Sequence, residues 1–163
     1  MASTRELTPT ALADIVEIER VLYRYAIAID TCELDLLDEC FTHDADIQMS
    51  IAGAYASPEA YKAKARVALA ELDATHHAMS SPLIEVDGDR ATAHTYYHAQ
   101  HARNALAPDS LFMVSGWIDD ELARIDGRWL ITKRRGQAVW FDGNPAVLGL
   151  DVTRGANPDL KRG

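Results

Sequence analysis

The chain has 163 residues, with 16 Lys+Arg against 25 Asp+Glu and a formal net charge of −9, and this length suffices for one hydrophobic core. The negative charge disfavours binding to nucleic acids or anionic membranes. No apolar run approaches the roughly 20 residues of a transmembrane helix, and the first ten residues lack the pattern of an export signal. We therefore expect one cytoplasmic domain, in which Cys32 and Cys40 are reduced thiols.

The first half of the sequence predicts mainly helices. Thr8-Pro9 and Ser57-Pro58 each combine a capping hydroxyl with a proline at the first helical position. Apolar residues at helical spacing follow both starts. The predicted elements are a helix from Pro9 to Ile29, a short helix over Glu33 to Phe41, a strand from Asp44 to Ile51, a turn at Gly53, and a helix from Ser57 to about Asp73.

The second half predicts a sheet, because its segments are long, rich in β-branched and aromatic residues, and joined by Asp-Gly turns. The predicted strands are Leu83 to Val86, Arg90 to Arg103, Leu111 to Ile125 and Arg128 to Phe141. Helices followed by antiparallel strands indicate an α+β fold, a cone-like curved sheet closed by the N-terminal helices around a pocket. We predict one domain over residues 1–142 and a tail over 143–163 that is loosely ordered or lies against a partner subunit.

Two groups of residues that could carry chemistry lie at the ends of predicted helices. Tyr25 and Asp30 are about 140° apart on a regular helix, so they share a pocket only if the helix ends near Asp30. His76 and His77 are adjacent on an extended segment, which is a weak metal pattern and allows one of them into the pocket. A histidine bonded to the Asp30 carboxylate would be a general base. Purely structural roles for these residues are the alternative.

The predicted strand from Arg90 to Arg103 has one small apolar face and one large polar face. The polar face either contacts water or lines the pocket. We predict the second, with substrate-binding residues at Tyr96, His98, Gln100, Arg135 and Trp140. We expect no metal and no cofactor.

These residues, in this order, resemble the SnoaL-like branch of the nuclear-transport-factor-2-like superfamily over roughly Leu12 to Trp140. That superfamily includes dehydratases, a dehydrochlorinase, isomerases, polyketide cyclases and noncatalytic dioxygenase subunits. The resemblance is carried by Ile18, Tyr25-Ala26, Asp30, Leu37, Phe41, Asp44-Ala45, Thr75-His76-His77 and Ile84 to Ala91.

The resemblance implies a catalytic Asp30–His77 dyad, with Tyr25 as a further catalytic residue. The position of a pocket aspartate in the bile acid dehydratase falls on Gln100. The position of the family's arginine falls on Ala138, so Arg134 or Arg135 is the candidate for the arginine that enters the pocket. The implied function is a cofactor-independent lyase of the dehydratase type, acting on a small hydrophobic cyclic or aromatic-derived substrate. An isomerase or cyclase, or a noncatalytic ligand-binding subunit, is the alternative. A homo-oligomer is also implied, either a dimer or a trimer.

Overall fold

The computed structural model describes residues 8–157. Over these residues the fold has two α-helices and seven strands, together with short 3-10 helices at Leu34–Glu39, Asn104–Leu106 and Pro145–Val147. The helices are α1 (Pro9–Asp30) and α2 (Pro58–Leu69). The strands are β1 (Phe41–Met49), β2 (Gly53–Tyr55), β3 (Ala74–Asp87), β4 (Arg90–Ala102), β5 (Leu111–Ile125), β6 (Arg128–Gly143) and β7 (Gly155–Ala156).

Both predicted helix starts are confirmed. The Thr8 side chain accepts a hydrogen bond from the backbone N–H of Ala11, and Ser57 does the same for Ala60. α1 ends at Asp30, and Thr31 caps it. The helix therefore ends near Asp30, which is the condition that the sequence analysis set for Asp30 to face a pocket.

The sheet has the strand order β2-β1-β6-β5-β4-β3, and β7 pairs with the free side of β6. All neighbours are antiparallel except β1 and β6, which run parallel. Register shifts interrupt β3–β4 after Ser80 and β5–β6 after Ser115 and Glu121, and such bulges bend a sheet. The predicted α+β class with an open curved sheet is confirmed, although one strand pair is parallel.

Several predicted boundaries were wrong. β3 begins at Ala74 rather than Leu83, so the His76-His77 dipeptide lies inside a strand that pairs with the whole of β4. The second helix is a 3-10 helix that ends at Glu39, and β1 begins at Phe41. The segment expected to be a turn at Gly53 is the short strand β2.

The two faces of the sheet have opposite character. We call the face toward α1 the inner face. On β4 its side chains are buried, and they are Ala91, Ala93, Thr95, Tyr97, Ala99 and His101. The outer face carries the alternate residues, which are partly or fully exposed, and they are Thr92, His94, Tyr96, His98 and Gln100. The small inner residues allow the helices to pack closely on the sheet.

The tail also differs from its prediction in the part that the structure describes. Residues 143–157 return to the chain's own sheet, where Gly155 and Ala156 pair with Phe141 and Trp140. Val147 is buried in a cluster with Phe141. Residues 158–163 lie outside the described part. Between residues 8 and 157, no helix is long and apolar enough to cross a membrane.

Candidate active site

Asp30 and His77 contact each other on the inner face. The Nδ1–H of His77 donates to Asp30 Oδ1 at 2.7 Å, and the backbone N–H of His77 donates to Asp30 Oδ2 at 2.7 Å. Because both oxygens are held, the carboxylate is fixed in position and orientation. The side chains are 18% and 14% exposed, so solvent still reaches them.

This geometry determines which nitrogen of His77 can act as a base. An ionised carboxylate only accepts hydrogen bonds, so it selects the neutral tautomer with the proton on Nδ1 and leaves the lone pair on Nε2. Burial alone raises the pKa of Asp30, but the hydrogen bonds from the His77 ring and backbone outweigh it and lower that pKa below its ordinary value. The carboxylate is therefore charged at neutral pH.

A second histidine, which the sequence reasoning missed, packs against the dyad. The ring of His101 lies edge-on to that of His77, with 5.6 Å between the ring centroids. Its Nδ1–H donates to the carbonyl oxygen of Phe112 at 3.3 Å. Burial, together with the nearby His77, lowers the pKa of His101 to about 4. His101 is thus a neutral ring at pH 7, and it lies beside His77 on the inner face, whereas Gln100 lies on the outer face.

Deeper in the fold, Tyr25 belongs to a buried polar cluster rather than to the dyad. Its hydroxyl and that of Tyr61 are 2.7 Å apart and share a hydrogen bond. The Cζ atom of Arg134 lies 3.9 Å from the centroid of the Tyr25 ring, which is a cation–π distance. Arg134 also donates to both oxygens of Asp120, at 2.8 and 2.7 Å, and this ion pair is fully buried. Arg134, one of the two arginines that the resemblance left open, is thus the inward one.

The cluster has more donors than acceptors. The Nη1 of Arg134 is buried without a hydrogen-bond partner among the described residues. The Tyr25–Tyr61 pair uses one of its two hydroxyl protons in its mutual bond. Buried donors of this kind normally find an acceptor, so the cluster is suited to hold an oxygen or halide of a bound molecule.

The five residues predicted to bind substrate belong neither to the Asp30–His77 dyad nor to the buried polar cluster. Tyr96, His98, Gln100, Arg135 and Trp140 lie on the outer face, as the register of β4, β5 and β6 requires. The ring of His98 packs against Trp140, and Arg135 donates to the backbone oxygen of Asp46. The prediction assigned the polar side of β4 to the pocket, but the small-residue side packs under the helices. Counting the small-residue side two positions beyond Ala99 would have found His101.

The metal-binding potential and the surface hollows of residues 8–157 can be compared with the position of the dyad. Within residues 8–157, no group of three or more His, Cys, Asp or Glu side chains is placed to hold a metal ion. Two surface hollows of about 350 and 710 Å³ lie around Leu83 and Glu85, on the outer face and at the β3 edge. The dyad lines neither of them.

Comparison with known proteins identifies the class. Helices packed on a strongly curved sheet define a member of the nuclear-transport-factor-2-like superfamily. A family model described as a SnoaL-like domain matches residues 10–135, so the chain belongs to the SnoaL-like family. No curated protein sequence gives a significant match.

Solved structures share the fold over most of their length. Kfla4162 from Kribbella flavida is 27% identical, with a TM-score of 0.76, over 81% of this chain and 95% of its own. A protein from Novosphingobium aromaticivorans named for scytalone dehydratase is 20% identical, with a TM-score of 0.78, over 96% and 100%. A type 2 hexachlorocyclohexane dehydrochlorinase, LinA, is 20% identical, with a TM-score of 0.73, over 91% and 97%.

Proposed function

We propose that the protein is a cofactor-independent lyase that eliminates water or hydrogen halide from a small, largely apolar ring compound. The observation that carries the proposal is the doubly held Asp30–His77 pair, in which Nδ1 of His77 faces the carboxylate and the His77 side chain is 14% exposed. The names of the dehydrochlorinase and of the protein named for scytalone dehydratase, which share this fold, agree with elimination chemistry.

In the proposed reaction, His77 Nε2 removes a proton from a ring carbon. The electrons of that C–H bond form a C=C bond, and the bond to the leaving group on the adjacent carbon breaks. Asp30 stabilises the imidazolium that forms on His77. For a hydroxyl leaving group, the imidazolium returns the proton, so that water departs. For a halide, the proton passes to solvent.

The donor cluster supplies the second half of this chemistry. Arg134 carries a fixed positive charge and free Nη1 donors, and Tyr25 or Tyr61 offers a hydroxyl proton. These groups would bind the departing atom, or a carbonyl oxygen that activates the C–H bond. Both groups lie on the inner face, where His77 is opposite Ala99 of β4 and Arg134 is opposite Asp120 of β5.

The test compares variants of two aspartate–histidine pairs, one on each face of the sheet. A nitro-substituted benzisoxazole, which opens when a base removes its carbon-bound proton, serves as the probe. A panel of β-hydroxy cyclic ketones and halocyclohexanes is assayed beside it for loss of water or hydrogen halide. We expect His77→Gln and Asp30→Asn to lower kcat/KM by about 10²–10⁴-fold. His94→Gln and Asp119→Asn, which alter the exposed outer pair, should stay within about twofold.

Equal rates for the dyad variants and the wild-type protein would overturn the proposal, as would equal losses for both pairs. Mass analysis in heavy water separates elimination from the alternative of isomerisation. Elimination releases a small molecule, whereas isomerisation conserves mass and incorporates deuterium.

A further inference from the structure

The histidine that packs against the dyad has its proton committed elsewhere. The centroid of the His101 ring lies 5.6 Å from that of His77, but its Nδ1–H donates to the carbonyl oxygen of Phe112. Burial lowers the pKa of His101 to about 4, so at pH 7 its other ring nitrogen carries no proton. His76 alternates with His77 along β3, opposite Gln100, and lies on the outer face. Neither ring is placed to protonate a group that His77 reaches.

Three carboxyl groups packed inside the fold are also committed to partners. Both oxygens of Asp120 accept hydrogen bonds from Arg134, and both oxygens of Asp14 accept them from Arg124. Asp30 is held through both oxygens by the contacts of the dyad. A carboxylate held in this way accepts hydrogen bonds and has no proton to donate. None of these three groups therefore serves as the acid for a leaving group.

The buried tyrosine hydroxyls of the inner face are weak acids. Tyr25 and Tyr61 share a hydrogen bond, and Tyr97 lies two residues before Ala99, which is opposite His77. Burial raises the pKa of Tyr61 and of Tyr97 above the ordinary value of a phenol. These hydroxyls can donate a hydrogen bond, but they transfer a proton to a leaving hydroxyl group poorly. Among the described residues this leaves His77 to take up and to release the proton at neutral pH.

We propose that the protein removes the proton and the hydroxyl group from the same face of the substrate ring, an inference that rests on the proposed function. His77 Nε2 takes the proton from carbon, and the electrons of the C–H bond form the C=C bond. The C–O bond breaks, and the departing oxygen takes a proton back from Nε2 and leaves as water. A hydrogen and a hydroxyl group that are cis both lie on the side of the ring that faces His77, whereas a trans pair lies on opposite sides. The substrate class is thus a cyclic β-hydroxy ketone with the removed hydrogen cis to its hydroxyl group.

Deuterium labelling of 3-hydroxycyclohexanone tests this stereochemistry. The carbon between the carbonyl and the hydroxyl-bearing carbon has one hydrogen cis to the hydroxyl group and one trans to it, so two monodeuterated forms are compared. Mass spectrometry of the enone product should show that the form labelled at the cis position loses its deuterium. The form labelled at the trans position should retain it. Loss of deuterium from the trans position would overturn the inference and leave the proposed lyase function standing.

The two diastereomers of 2-methyl-3-hydroxycyclohexanone provide a second measurement, because each has a single hydrogen on the carbon between the two functional groups. The trans diastereomer, whose hydrogen is cis to the hydroxyl group, should have a kcat/KM about 10²-fold higher than the cis diastereomer. Tyr61→Phe and Tyr97→Phe should preserve this ratio within about twofold, since neither hydroxyl supplies the proton.

Equal kcat/KM values for the two diastereomers, or a ratio that disappears in either tyrosine variant, would overturn the inference alone. A wild-type rate for His77→Gln, or no turnover of any ketone or halide in the panel, would instead overturn the proposed function and the inference with it.

Discussion

The inner and outer faces of the sheet each carry an aspartate–histidine pair with almost the same contact. On the inner face, His77 Nδ1 and Asp30 Oδ1 are 2.7 Å apart. On the outer face, His94 Nδ1 and Asp119 Oδ1 are 2.6 Å apart. The ring–carboxylate distance alone does not distinguish them.

What distinguishes the pairs is their surroundings. Asp30 is also bound by the backbone N–H of His77, and the buried His101 ring packs beside the His77 ring. The side chains of His94 and Asp119 are 37% and 56% exposed. In water, the outer pair gains little free energy from its attraction. Burial and a second hydrogen bond, rather than the pair itself, give the inner dyad a fixed base.

The largest expected difference between the faces concerns two neighbouring ion pairs of β5 and β6. Asp120–Arg134 is fully buried on the inner face, and Glu121–Lys133 is exposed on the outer face. Asp120→Ala should lower the free energy of unfolding by about 3–5 kcal/mol, because it leaves a buried guanidinium without its counter-charge. Glu121→Ala should cost under about 1 kcal/mol. Urea denaturation measures both.

Replacing both inner partners separates the charge from the packing. Asp120→Leu combined with Arg134→Met should recover much of the stability lost in Asp120→Ala, because no charge then remains unpaired. Similar losses of unfolding free energy for Asp120→Ala and Glu121→Ala would show that removing a counter-charge costs the same on both faces.

A smaller effect is expected from the acid sensitivity of His101. Its pKa is about 4 in the folded chain and about 6.5 in an unfolded one. Between these values the unfolded chain binds the extra proton, so the free energy of unfolding falls as the pH decreases from about 6.5 to about 4. His101→Phe removes this proton uptake and should reduce the fall between pH 7 and 5 by on the order of 2 kcal/mol.

The control for this effect is His98→Phe on the outer face. His98 lies on the exposed outer face of the same strand, so the comparison keeps the His→Phe change and varies only the burial of the ring. If His101→Phe has the wild-type slope, His101 takes up its proton as readily in the folded chain as in the unfolded one.

The sequence predicted the parts of the fold that depend on local signals. Capping residues fixed both helix starts, and Asp126-Gly127, with positive φ at both residues, makes the predicted hairpin turn. The first half of β3 was missed because Ala74 to Ser81 contains few β-branched or aromatic residues. It is a strand because β4 pairs along its whole length, and this is a tertiary effect.

The site was predictable only where the resemblance supplied the pairing. It brought Asp30 to His77, which are 47 residues apart, but along β4 it pointed to Gln100, one residue before the inward-facing His101. Polarity suggested the wrong side, because the small residues that make room for the helices have weak individual signals. Because neighbouring residues of a strand point to opposite faces, the prediction named Gln100 and Arg135, whereas their neighbours His101 and Arg134 face inward.

A still smaller effect is expected in how the stability contributions of Asp30 and Asp119 depend on pH. The folded-state pKa of Asp30 lies below its unfolded value, so its contribution to stability is present above about pH 4 and is lost as the pH falls through the folded value. The difference in unfolding free energy between the wild type and Asp30→Asn should therefore narrow from about pH 5 to 3. Asp119→Asn, where water replaces the lost partner, is the comparison, and a difference that widens in acid for Asp30→Asn would contradict the expectation.

The smallest expected effects are those of outer-face substitutions on catalysis. His98→Ala, Gln100→Ala and Trp140→Ala should each change kcat/KM for the benzisoxazole probe by less than about twofold. Their side chains lie across the sheet backbone from His77, and the register leaves them no route to the inner face. A comparison on the inner face is Tyr97→Phe, which keeps the buried ring and removes its hydroxyl. If His98→Ala or Trp140→Ala lowered kcat/KM tenfold while the protein stayed folded, substrate would have to contact the outer face, and the exposed His94–Asp119 pair would become the better candidate for the base.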